Sequence, residues 1–153
     1  MSTVLSHVGV CVSDVEASTR FYCEALGFDA AEAFDVGDEF GPLMELDGVQ
    51  LHSQFLRRDG QAIELLSFAT PEPGGTKERR PMTQFGLTHL CFRVDDATEL
   101  FDLAARAGGA AHPATATTLE ATGVTVVYLT DPDGVRIECM AGSPDLAQFP
   151  APG

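Results

Sequence analysis

The chain has 153 residues, 44% of them hydrophobic, and a formal net charge of −14. That length and apolar content suit one compact domain with its own core, and so negative a charge argues against a nucleic-acid or anionic-membrane partner. No apolar stretch is long enough to cross a bilayer, and MSTVLSHVGV has neither the basic region nor the long apolar segment of a secretory signal, so a cytoplasmic protein with reduced, mostly buried cysteines (Cys11, Cys23, Cys91, Cys139) is expected.

In chain order, residues 7–12 (HVGVCV) are short and β-rich and predict a first strand. Asp14 follows as an N-cap candidate. Val15, Ser18, Tyr22, Ala25 and Leu26 then form one helical stripe that stops at Gly27. Strands are expected over about 28–36, 48–57 and 61–68. Residues 69–86 hold three prolines and three glycines and read as a linker. The order then repeats. A strand is expected at 89–94, an N-cap at Asp96, and a helix on the stripe Ala97, Leu100, Phe101, Ala104 and Ala107. Strands at about 110–117, 124–130 and 134–141 follow. Residues 142–153 read as an irregular tail.

The repetition is literal. At a constant offset of 82, Leu5, His7, Val12, Asp14, Ala25 and Gly27 meet Leu87, His89, Val94, Asp96, Ala107 and Gly109. DGQAIE (59–64) returns as DGVRIE (133–138) at an offset of 74, and an indel of eight residues reconciles the two offsets. The chain therefore reads as two tandem modules, 1–68 and 87–141, each strand–helix–three strands. The fold class is α+β, with both modules in a single structural domain.

Each copy of the turn delivers a glutamate into an apolar run, IELLSF and RIECMA. A carboxylate there is costly unless it is paired or bound to a cation. Strand alternation puts His7 on the face opposite Val8 and Val10, His89 opposite Leu90 and Phe92, Glu64 opposite Ile63 and Leu65, and Glu138 opposite Ile137 and Cys139. One His and one Glu per module thus occupy the face that no helix covers. If the modules pair about a pseudo-twofold axis, the four side chains converge. Two imidazoles and two carboxylates suit one divalent metal, with two coordination positions left for water or substrate. Singly, each residue also suits a solvated or hydrogen-bonded strand position; the matched duplication favours the ligand reading.

Glu64 and Glu138 are the leading candidates for a catalytic base. In VQLHSQF the alternation groups His52 with Gln50 and Gln54, and the polar set is expected on the metal-facing side, where His52 could contact substrate or act as a second base; a solvated strand histidine is the other reading. Arg57, Arg58, Lys77, Arg79 and Arg80 form a basic patch able to steer an anionic substrate, or simply an exposed linker. By parity Arg93 and Arg136 face the metal side and could anchor a carboxylate.

On HVGVCVSDVEASTRFYCEALGF, IELLSF, THLCFRVDD and YLTDPDGVRIE, the chain resembles the vicinal oxygen chelate superfamily of glyoxalase I, methylmalonyl-CoA epimerase, extradiol dioxygenases and bleomycin- and fosfomycin-resistance proteins, over about residues 4–141. It is most similar in pattern to methylmalonyl-CoA epimerase and glyoxalase-like proteins. The resemblance implies paired βαβββ modules that curl a mixed sheet around one metal, with His7, Glu64, His89 and Glu138 at the ligand positions. It also implies a metal-dependent isomerase, epimerase or lyase that stabilises an enolate of a small carbonyl or acyl-thioester substrate, often as a homodimer. The alternatives within the resemblance are a small-molecule (antibiotic) binding or resistance protein and an extradiol-type dioxygenase. Cys11 and Phe68 stand where glutathione-binding members carry Arg and Asn, and Thr88 stands where epimerases carry a second histidine.

Overall fold

A computed structural model of the chain describes residues 2–142; of the expected tail, residues 143–153 lie outside the described residues. The chain divides into two compact units, Met1–Glu78 and Arg79–Gly153, and the division falls inside the expected linker.

The first unit runs β1 (Val8–Cys11), α1 (Val15–Glu24), β2 (Asp29–Val36), a turn of 3-10 helix (Asp38–Phe40), α2 (Gly41–Met44), β3 (Gln50–Arg58) and β4 (Gln61–Thr70). Its sheet has the order β1-β4-β3-β2, with β1 parallel to β4 and the other pairs antiparallel. The helix starts where the sequence places it: Asp14 has extended backbone and its Oδ1 accepts the Ala17 N–H at 3.0 Å. Val10, Val12, Phe21, Tyr22, Leu26, Leu56, Ile63 and Leu65 bury the space between α1 and the sheet. Asp59 and Gly60 both take positive φ (49° and 76°), the mirror-image turn that a two-residue hairpin requires, and so fix the β3–β4 register. The helical segment over residues 38–44 was not expected from the sequence, and β4 extends two residues into the stretch read as linker.

The second unit repeats the plan with β5 (Leu90–Val94), α3 (Glu99–Arg106), β6 (Ala110–Leu119), β7 (Val124–Thr130) and β8 (Arg136–Ala141), in the order β5-β8-β7-β6. Its core is leaner: on the helix side only the alanines Ala97, Ala104 and Ala107 are buried, with Val127, Leu129, Ile137 and Cys139 buried in the strands. The helix ends in a Schellman arrangement. Gly108, at φ 93°, donates to Ala105 O, and Gly109 donates to Ala104 O.

Two expectations need correction here. The α3 cap is Thr98 rather than Asp96; Asp96 Oδ1 instead accepts both the backbone N–H and the hydroxyl of Thr98, each at 2.7 Å, and so closes the turn that precedes the helix. Cys139 is the only fully buried cysteine, whereas Cys11 and Cys91 are exposed on the face without a helix.

Candidate metal centre

The parallel pair that closes each sheet positions the site. In the first unit Gly9 registers with Glu64, and His7 lies two residues before Gly9, on the same side as Glu64. His7 Nε2 is 3.2 Å from Glu64 Oε2. In the second unit Cys91 registers with Glu138, His89 precedes it by two, and His89 Nε2 is 3.6 Å from Glu138 Oε2. The two glutamate side chains are only 19% and 16% exposed, so each needs compensation.

Part of that compensation comes from the neighbouring strand. Ser53 on β3, itself buried, donates its hydroxyl to Glu64 Oε1 at 2.6 Å. Tyr128 on β7 lies directly across from Glu138 and donates to Oε2 at 2.7 Å. Cys91 Sγ contacts the other oxygen, Oε1, at 3.4 Å. Burial, then the Glu138 carboxylate, pushes both the Cys91 thiol and the Tyr128 phenol up to about 12, so each keeps its proton and remains a donor at neutral pH.

The histidines are held alike. His7 Nδ1 lies 3.1 Å from the Ser6 hydroxyl and His89 Nδ1 lies 2.9 Å from the Thr88 hydroxyl. With a proton on Nδ1 donated to the hydroxyl, Nε2 presents its lone pair beside the carboxylate, the usual second-partner arrangement of a metal-binding histidine. An aromatic ring supports each imidazole edge-on: Phe55 at 5.3 Å from His7 and Tyr128 at 5.9 Å from His89. Ser6, Ser53 and Tyr128 were not singled out from the sequence, and Thr88 only as standing where epimerases carry a second histidine. The S/T-H pair at the head of each repeat was the visible signal for Ser6 and Thr88.

The donors fit a metal. Two ligands at about 2.1 Å from a shared ion and at right angles stand about 3 Å apart, close to the two His–Glu separations. No group of three or more His, Cys, Asp or Glu side chains poised for a metal occurs among the described residues; the donors appear as one pair in each unit.

His52 stands elsewhere. It registers with Ser67, whereas Phe55 registers with Glu64, so His52 lies on the opposite face of the sheet. There it lines a cavity of about 640 Å³ with Val15, Glu16, Thr19 and Arg20 of α1, and its Nδ1 is 2.7 Å from Asp35. The expected polar face of β3 is therefore reversed: Ser53 and Phe55, not His52 and Gln54, accompany Glu64. Arg136 does share the face of Glu138, its guanidinium 5.2 Å from the centre of the Tyr128 ring. His112, not singled out from the sequence, registers with Tyr128 and lies 3.2 Å from the Thr130 hydroxyl.

The sequence model of the Glyoxalase/Bleomycin resistance protein/Dioxygenase superfamily matches residues 4–139. Among curated proteins none matches the chain significantly. Among solved structures, a glyoxalase family protein from Bacillus cereus superposes with a TM-score of 0.76 at 17% identity, covering 90% of this chain and 92% of that one. A glyoxylase/bleomycin resistance protein/dioxygenase domain from Frankia sp. gives 0.62 at 26% identity, over 94% of this chain and all (100%) of that one. The fosfomycin resistance protein FosX from Listeria monocytogenes, complexed with Mn(II) and sulfate, gives 0.59 at 18% identity, over 94% and 95% of the two chains.

Proposed function

Because the chain belongs to the Glyoxalase/Bleomycin resistance protein/Dioxygenase superfamily, whose members are mostly metalloenzymes, we propose that it is a divalent-metal-dependent isomerase, epimerase or lyase acting on a small carbonyl or acyl-thioester substrate. The observation that carries this reading is the duplicated half-site: a histidine with its Nδ1 on a hydroxyl and its Nε2 beside a hydrogen-bonded glutamate, once in each unit. His7, Glu64, His89 and Glu138 would hold the ion. A bound divalent ion supplies Lewis acidity toward a carbonyl oxygen.

The chain's own residues divide the remaining work. Glu138 has a donor on each oxygen, Tyr128 and Cys91, and is the carboxylate held in place. Among the described residues Glu64 has Ser53 as its one hydroxyl donor. It is the carboxylate with freedom to take a proton from the carbon beside the substrate carbonyl and return it. Phe55 and Tyr128 keep the imidazoles from turning while this happens.

The test is deuterium exchange. Small keto acids and acyl thioesters are incubated in D₂O with the metal-loaded protein. A substrate should gain deuterium at the carbon beside its carbonyl, chelator should stop the exchange, and metal should restore it. With metal occupancy enforced, Glu64→Gln should lose exchange more completely than Glu138→Gln. Turnover with oxygen consumption and no exchange would replace this reading with a dioxygenase.

A second reading, a metal-assisted small-molecule binding or resistance protein, draws on the likeness to FosX; it predicts tight uptake of a small molecule with no exchange. A cytoplasmic homodimer remains part of the proposal, and light scattering on the purified protein tests the dimer.

A further inference from the structure

The face around Glu138 carries a cation that the fold does not require. Arg136 opens β8, and its counterpart in the first unit, at the offset of 74, is the buried Ala62. The Arg136 guanidinium lies 5.2 Å from the centre of the Tyr128 ring and donates one bond, 2.8 Å, to the backbone carbonyl of Arg80. Tyr128 in turn bonds Glu138. Among the described residues no carboxylate pairs with Arg136. In the first unit, by contrast, Arg57 stacks on Phe55 at 5.8 Å but is neutralised by Glu32 at 3.2 Å, and Arg58 by Asp59 at 3.2 Å. A chain of net charge −14 that leaves one half-buried, oriented guanidinium without a counter-ion presents a site for an external anion.

Two further groups share the corner. Thr130 registers with Arg136 across β7 and β8, and its hydroxyl lies 3.2 Å from His112 Nε2. Desolvation, then the charges of Arg79 and Arg136, lowers the pKa of His112 and favours its neutral form.

We propose that Arg136, with His112 and Thr130 beside it, is the anion-binding corner of the substrate site in the second unit and takes the carboxylate or phosphoryl group of a small-molecule substrate. The proposal rests on the reading of the His89–Glu138 face as half of the metal site, and it names the substrate class: a carbonyl compound or acyl thioester that also carries an oxyanion. The planar fork of Arg136 suits the two oxygens of either group, the ring beneath it fixes its plane, and the Arg80 carbonyl fixes its rotation.

The experiment uses the full-length chain in chelator, so that an anion cannot bind through a metal. Inorganic phosphate and malonate are titrated separately while the ring resonances of His112 are followed by NMR. Saturable shifts are expected. Arg136→Met should weaken the anion by about 10- to 100-fold, the worth of a charge-assisted pair, and Arg136→Lys should recover part of it, while metal affinity, measured separately, stays at the wild-type value. A response to phosphate alone assigns a phosphoryl group, and a response to malonate alone a carboxylate. Absence of a saturable shift with both anions overturns the proposal, as does equal anion affinity in Arg136→Met with a native spectrum. Failure of metal binding with the anion response intact overturns the metal reading and leaves the anion corner standing.

Discussion

Tyr128 and Glu138 face each other across β7 and β8, and the phenol donates to the carboxylate at 2.7 Å while its ring supports His89. One side chain thus orients both donors of the second unit. Tyr128→Phe keeps the ring and removes the hydroxyl. Metal affinity should fall about 10- to 100-fold, the usual cost of losing an outer partner of a ligand, with the fold retained. Titration calorimetry and circular dichroism check the two halves of that statement.

Ser53 plays the corresponding part for Glu64 from a different position. It is 2% exposed and donates at 2.6 Å. Ser53→Ala leaves Glu64 Oε1 without that donor in a half-buried setting. The metal-free protein should lose about 1–3 kcal/mol of stability, read from urea denaturation; an unchanged midpoint would show that water replaces the hydroxyl at no cost.

His52→Ala should leave metal affinity at the wild-type value, because His52 registers with Ser67 on the face opposite Glu64. The reversal shows where the sequence was legible. β1 and β5 alternate cleanly, with Val8 and Val10, or Leu90 and Phe92, against the histidine side, so the placement of His7, His89, Glu64 and Glu138 could be read from parity alone. β3 does not alternate in that way. Leu51 and Ser53 are buried on the side of Glu64 and Leu56 on the side of α1, so polarity gives no direction and only pairing to β4 settles it. Tyr128 was hidden for a related reason. Its repeat counterpart against the histidine is Phe55, which carries no hydroxyl, and the donor to Glu64 comes instead from Ser53. The two modules keep the His–Glu pair and change the groups that hold it.

Asp96 provides a pH test away from the site. The Thr98 hydroxyl and then the Thr98 N–H lower its pKa in the folded state. A lowered folded-state value means that the stabilisation is complete above the unfolded carboxylate range and is lost as pH falls through the folded value. Asp96→Asn should therefore lower Tm at neutral pH and flatten its decline on the acid side relative to wild type. Parallel Tm curves for the two proteins between neutral and acid pH would contradict this.

The proposed function requires that His7, Glu64, His89 and Glu138 together hold one divalent ion. The decisive measurement is metal content and affinity on the wild-type chain and on His7→Ala, Glu64→Gln, His89→Ala and Glu138→Gln. One ion per chain is expected, with affinity lowered in all four variants. Independent binding of two ions per chain would contradict it, and so would full occupancy in the variants of either unit.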